Sequence, residues 1–270
     1  IIRNAGKRLS ENLSIIREIS NAFDKHHIFI YENDSTDDTI KILSENRGND
    51  LDFISETRPD KNASITTDTV VNKAGVDGDD PYHYKRCTVL AECRNKYVKY
   101  ILDNDISNEY DYICVVDLDV KGGFYIDGFY HSIYMIENTE NASCMTAYGV
   151  LADPHRQYSL EQIQHKSYWM YDSFAFRPLN IPTIHKDDTH SFNAVYLKVG
   201  QEPQEVISNF NGLGIYKSDQ FKYYYEAKQW KEGYVDPDHV SIHRKMREAG
   251  GKIFLNPSLI VSYSPHRYAQ

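Results

Sequence analysis

Apolar positions along the chain recur with two spacings, and the alternation between them predicts the architecture. Leu13, Ile16, Ile19 and Phe23 fall at helical intervals over residues 10–24, and residues 28–31, Ile-Phe-Ile-Tyr, form a short β-branched and aromatic run of the kind that makes a strand. Ile40 and Leu43 mark a second helix, Leu51 and Phe53 a second strand, and Val89, Leu90, Cys93, Tyr97, Val98 and Ile101 a longer helix over 84–102. A third strand ends at Val116, a helix carries Phe129, Ile133 and Ile136, and residues 144–148 form another strand. The helix at 238–249 ends at Gly250-Gly251, followed by late strands at 252–255 and 259–261. Strand and helix in alternation predict an α/β fold with a mostly parallel, Rossmann-like sheet flanked by helices. Ile1-Ile2 and Arg3-Asn4-Ala5-Gly6-Lys7 read as the tail of a first strand and its ligand-facing loop, so earlier residues are expected to precede them.

Two stretches interrupt the pattern. Residues 57–84 are rich in Asp, Asn, Gly and Thr, a long excursion for such a fold and one that long loops reserve for motion or function. Residues 149–210 have poor periodicity; their clusters Tyr168-Trp169-Met170-Tyr171 and Phe174-Ala175-Phe176 are assigned to the core, with the wall of an acceptor groove as the other reading. Phe210-Asn211-Gly212-Leu213-Gly214 approaches a strand through two glycines, which fit close packing against a ligand and a tight turn equally well.

The chemistry is concentrated where strands end. The run Tyr112-Ile113-Cys114-Val115-Val116 delivers Asp117-Leu118-Asp119 to the place where an open α/β sheet binds ligands. Two carboxylates there can converge on a divalent cation, and oxygen-only ligation suits manganese (Mn) or magnesium (Mg) better than zinc. After the 28–31 strand comes a polar turn, Glu32 to Thr39, in which Ser35 is the expected N-cap with Asp38 three residues on. The 270 residues, 41% of them hydrophobic, allow a substantial core, and a formal charge of −9 excludes extended binding along a nucleic-acid backbone. Tyrosine, at 22 copies, suits clefts that hold sugars and crowded sheet surfaces alike. The four cysteines have no metal or disulfide spacing and are expected to be buried free thiols. No membrane-spanning run or signal peptide stands out. A glycan on the Asn33 sequon would obstruct the site, which weighs toward a cytoplasmic location.

With these motifs in order, the sequence resembles the GT-A class of nucleotide-sugar glycosyltransferases. Glu32 to Thr39 resembles the family's acidic turn, Arg86 through Ala91 to Arg94-Asn95 its Arg, Ala, Arg-Asn helix, and Asp117-Leu118-Asp119 its metal motif. Asp238-His239 with Arg244, Gly250 and Lys252-Ile253 is similar to its later acidic pair, Arg and Gly-Lys ending. The resemblance implies a single GT-A domain, with residues 1–125 as the nucleotide-sugar half and 126–270 as the acceptor half. It implies transfer of a hexose from a nucleotide-diphosphate sugar to a hydroxyl of a glycan or glycoconjugate, with Mn or Mg as cofactor. By the same resemblance Glu32 reads the base, Arg3, Asp34 and Arg94 lie at the nucleotide or diphosphate, Asp117 faces the ribose and the metal's water, and Asp119 binds the metal. A UDP-sugar is slightly preferred because Glu32 resembles a uracil-reading acid; GDP-mannose is the rival.

The family's second acid is replaced by His239, which leaves three assignments open: Asp238 is the base, His239 is the base, or neither is because configuration is retained. In the retaining case His266 is the closest candidate for an added metal ligand, with His243 second, and Asp236 is near enough in sequence to take the place of Asp238. Two other functions compete. A sugar-phosphate nucleotidyltransferase would carry a glycine-rich basic loop after its first strand, and Arg3 to Lys7 holds one glycine. A non-catalytic carbohydrate-binding module would account for the aromatic content but not for the Asp117/Asp119 pair.

Overall fold

A computed structural model describes residues 1–58, 84–152, 168–185, 188, 195–231 and 234–263. In chain order the elements are α1 (Gly6–Ser20), β1 (Ile28–Asn33), α2 (Thr39–Asn46), β2 (Leu51–Glu56), α3 (Tyr84–Asp103), β3 (Tyr112–Val116), β4 (Gly123–Phe124) and α4 (Ile126–Asn138). There follow β5 (Ala142–Ala152), β6 (Tyr168–Met170), β7 (Arg177–Pro178), β8 (Gln204–Ser208), β9 (Leu213–Lys217), β10 (Lys228–Lys231), β11 (Tyr234–Asp236), α5 (Asp238–Glu248) and β12 (Lys252–Ser262). The early elements match the expected periodicities closely. The two late strands prove to be one, β12, with a register shift between Leu255 and Ile260 around Asn256-Pro257, where the proline cannot donate to a ladder.

The chain is mixed α/β, but its large sheet is mostly antiparallel, contrary to the parallel sheet expected. Eight strands join, along the path β3-β9-β5-β12-β8-β7 with β4 on β12 and β6 on β5. Among the described residues only β5 with β12 runs parallel in it, while β3–β9, β9–β5, β12–β8, β12–β4, β5–β6 and β7–β8 are all antiparallel. β1 and β2 form a separate parallel pair. Helical periodicity up to α4 fixes crossovers, which force parallel strands; beyond it the helices thin out and the strands return on one another directly.

Helices cover both faces of the large sheet. On one face Leu9 and Leu13 of α1 and Phe129 and Ile136 of α4 pack on Met145, Ala147, Leu213, Ile215 and Val261. On the other, Val98 and Ile101 of α3 and Ile242 and Met246 of α5 pack on Cys144, Tyr148, Tyr216, Ile253 and Ile260. The alternation of Cys144 and Met145 between faces is the period-two pattern of a strand buried on both sides. Met170, Ala175 and Phe176 join the core as expected, whereas Tyr171 is half exposed. Cys93 and Cys144 are buried free thiols and Cys87 is buried; Cys114 is free but exposed, which was not expected.

The acidic turn before α2 caps differently from the sequence reading. Ser35 is not the N-cap: its hydroxyl accepts the Asn4 N–H at 2.9 Å. Asp37 does the work at the helix start, its Oδ1 accepting the Thr39 N–H at 3.0 Å and the Thr39 hydroxyl at 2.5 Å. Thr39 Oγ1 in turn accepts the Ala5 and Gly6 N–H groups at 2.9 and 3.1 Å, so the loop after Ile2 and the acidic turn are sewn together.

Candidate functional site

The site is organised by one arginine on the wrong face of a helix. The buried stripe of α3 runs Cys87, Ala91, Arg94, Val98, Ile101, and a guanidinium in that stripe must find charge inside the protein. Arg94 Nε donates to Asp238 Oδ2 at 2.5 Å, and Nη2 lies 3.6 Å from Asp117 Oδ1. Its Nη1 is buried with no hydrogen-bond partner among the described residues. The guanidinium also sits over the rings of Phe210 and Tyr225 at 5.1 and 5.8 Å. Asp238 is the first residue of α5, where the helix dipole favours an anion, and Pro237 before it lacks the N–H that such a position would leave unused.

Asp117 follows β3 and is fixed through its backbone, whose N–H donates to the Gly212 carbonyl at 2.9 Å. Gly212 adopts φ +87°, as a tight turn requires, and lies under the Tyr263 hydroxyl, so the close approach it allows is to a tyrosine side chain. Asp119 is exposed at the tip of the same turn. The turn is anchored from α1 by the buried Asn12, whose amide donates to the Leu118 and Val120 carbonyls at 2.7 and 3.0 Å, and by Arg8, which donates to the Lys121 carbonyl at 2.7 Å. Burial pushes the Asp117 carboxyl up to about 6; Arg94 opposes that rise, and Asp119 and Asp172 add to it.

Asp172 was missed in the sequence because it lies in a segment without periodicity. Its N–H donates to Asn211 Oδ1 at 2.9 Å, and its Oδ1 accepts the Ala175 N–H at 3.2 Å. Asn211 is itself held by Asn209 Oδ1 at 2.6 Å, and Asn209 by Thr146 and the Ala147 carbonyl, a fully buried amide relay through the middle of the sheet. Asp117 and Asp172 therefore both hang from the Asn211-Gly212 turn. Burial raises the Asp172 carboxyl, and Asp238 raises it further. Beside them Tyr171 stacks on Tyr263 at 3.6 Å between ring centroids, a flat aromatic platform at the acidic cluster.

Other expected residues fall elsewhere. Glu32 is fully buried, its two oxygens accepting the Ser35 N–H at 2.8 Å and the Ser55 hydroxyl at 2.5 Å, so it has a structural part of its own in joining β1 to the acidic turn and to β2. Asp34, at φ +54°, accepts the Arg58 N–H at 3.1 Å. Arg3 is partly buried, and its Nε has no hydrogen-bond partner among the described residues. Asp236 is committed to Arg177, Trp230 and Arg244, and does not stand in for Asp238. His243 bridges Ser208 and Tyr216 at 2.9 Å each, deep in the core. His266 lies outside the described residues.

His239 is 3% exposed and stacks on Phe210 at 3.6 Å, with neither ring nitrogen hydrogen-bonded among the described residues. Burial, with Arg94 and His243 nearby, holds its pKa well below 6.5, and burial lowers that of His243 to about 3. Both rings are neutral in the fold but titrate near 6.5 when unfolded, so their stabilisation is complete above that pH and is lost as pH falls, by up to about 1.4 kcal/mol per unit for each histidine. Asp117 and Asp172, with raised values, act in the opposite sense at lower pH. His239→Phe keeps the stack and removes two unsatisfied nitrogens, so it is expected to match or exceed the wild type by about 1 kcal/mol at pH 7 and to soften the loss of stability between pH 7 and 6. Thermal melts across that range check both.

No cluster of three or more His, Cys, Asp or Glu side chains is set to hold a metal among the described residues. Asp117 and Asp119 nonetheless fit a magnesium-like ion, which takes one or two protein carboxylates and completes its shell with water and substrate phosphates. No protein-family model matches the chain, and no curated protein matches it either.

Proposed function

We propose that the chain is a metal-dependent glycosyltransferase that moves a hexose from a nucleotide-diphosphate sugar to a hydroxyl of a glycan or glycoconjugate. The observation that carries this reading is the buried Arg94 bracketed by Asp117 and Asp238, with Asp119 exposed beside them at the end of β3. An exposed acid next to a half-buried one offers oxygen ligands to a cation, and a guanidinium with an unpaired N–H beside them offers a donor to phosphate oxygens. A bound Mn or Mg would supply charge neutralisation for the departing diphosphate.

The chain's own residues have distinct parts. Asn12 and Arg8 hold the Asp119 turn, and Gly212 holds Asp117. Arg94 keeps the acidic end assembled. Tyr171 and Tyr263 offer a ring face to a sugar. Asp238, already bound to Arg94, is a poor proton acceptor, and His239 is enclosed. Asp172, whose Oδ2 carries no hydrogen bond among the described residues, is the carboxylate we assign to the acceptor hydroxyl. The preference for UDP over GDP rests on Glu32, which is buried with each oxygen accepting one hydrogen bond.

Isothermal titration with UDP-glucose and GDP-mannose, each with and without Mn, tests the reading. Metal-dependent binding of one of them is expected, and absence of any such binding defeats it. Asp172→Asn should leave that binding intact while slowing transfer by about a hundredfold, measured as donor consumed with acceptor present. The same titration, followed by release of the nucleoside diphosphate, separates an enzyme from a sugar-binding module.

A further inference from the structure

Between β1 and β3 the fold leaves a cleft of about 580 Å3. It is walled on one side by Ile16, Ile19 and Phe129 from α1 and α4, and on the other by Tyr97, Tyr100 and Ile101 from α3. Its two long borders are sheet edges: β1 pairs only with β2, and β3 only with β9, among the described residues. A row of bare backbone donors and acceptors facing an apolar cavity on both borders is a costly arrangement.

One residue already occupies its end. Ile2 bridges Glu32 in parallel register, its N–H donating to the Tyr31 carbonyl at 2.9 Å and its carbonyl accepting the Asn33 N–H at 3.4 Å. Ile1 beside it packs both against the cluster of Tyr31, at the end of β1, and against the cluster that includes Val115, at the end of β3. The carboxyl ends of β1 and β3 therefore meet at Ile1-Ile2, so the two strands run the same way with room for one strand between them.

We infer that this cleft is the seat of a single parallel β-strand, formed by residues running directly into Ile1, which joins β1–β2 and the eight-stranded sheet into one continuous sheet. What calls for it is the pair of bare edges and the bridge at Ile2. Continuing the register of Ile2 on Glu32 sets Ile1 against Tyr31 and the three residues ahead of it against Ile30, Phe29 and Ile28. Helices wall both faces, so the strand is apolar at every position rather than alternating. This inference stands apart from the proposed activity and is tested without substrate.

Cys114 reports on the seat, being exposed in the middle of the β3 edge while the other three thiols are buried. Two chains are compared with the 270-residue protein: one extended ahead of Ile1 by Val-Ile-Val, the other by Gly-Ser-Gly. With Val-Ile-Val, labelling of Cys114 by a maleimide and amide exchange along β1 and β3 are each expected to slow about tenfold or more, and with Gly-Ser-Gly much less. Equal rates in all three chains overturn the inference. So does protection of both edges in the unextended chain through dimerisation, which would give the seat to a second copy. If the apolar extension aggregates, an acetylated Lys-Val-Ile-Val-Ile-Ile peptide added in trans to the unextended chain replaces it; concentration-dependent protection of Cys114 supports the inference, and none up to millimolar peptide overturns it.

Discussion

Replacing Arg94 with methionine is expected to cost the fold about 3–5 kcal/mol, because it strands Asp238 as a buried charge and removes the counter-ion from Asp117. The loss should exceed what the pair itself contributes, and that difference is measurable. Arg94→Met combined with Asp238→Leu removes both buried charges, and the double variant should recover more than half of the lost stability. Urea unfolding of the two single variants and the double one gives the coupling directly. If the double variant is as unstable as the sum of the singles, Arg94 and Asp238 do not act as a pair. Nucleotide-sugar binding should be lost in every variant without Arg94, including the stable one, since the proposed phosphate donor is gone in all of them.

Asp119→Asn separates chemistry from folding in the opposite direction. Asp119 is exposed and sits at the tip of a turn held by Asn12 and Gly212 rather than by its own side chain, so the free energy of unfolding should be unchanged within about 0.5 kcal/mol. Removing one of two proposed metal carboxylates should lower transfer on the order of a hundred- to thousandfold, and the Mn concentration needed for half-maximal rate should rise. Asn12→Leu should reproduce part of that loss by releasing the turn, at a larger stability cost. A fully active Asp119→Asn variant would remove the metal from the proposed mechanism.

The parts of the fold legible in the sequence are those governed by short-range rules. The helical stripe of α3, the β-branched run of β3 and the glycine stop after α5 each state their own geometry within a dozen residues. The acids at the end of β3 were visible for the same reason, whereas Arg94 was singled out by the family resemblance and not by its place on the apolar face of α3. Sheet direction was not, because it depends on which strands are joined by helices, and from β5 onward the connections carry no period to read. Asp172 and the Asn209-Asn211 relay escaped for a related reason: they are defined by partners some 39 to 63 residues away, not by neighbours. Glu32 is the converse case. A strand-end carboxylate looks available to a ligand until the serines that occupy it, one on the next strand, are in place.

The guanidinium shared by two acids has a consequence for how the pocket fills. An empty acidic cleft tends to spring apart under its own repulsion, but here an internal cation stands in before any guest arrives. Loading the cleft is then a trade of partners within a finished scaffold, not the ordering of a loose one, and calorimetry of that step should show a small heat-capacity change.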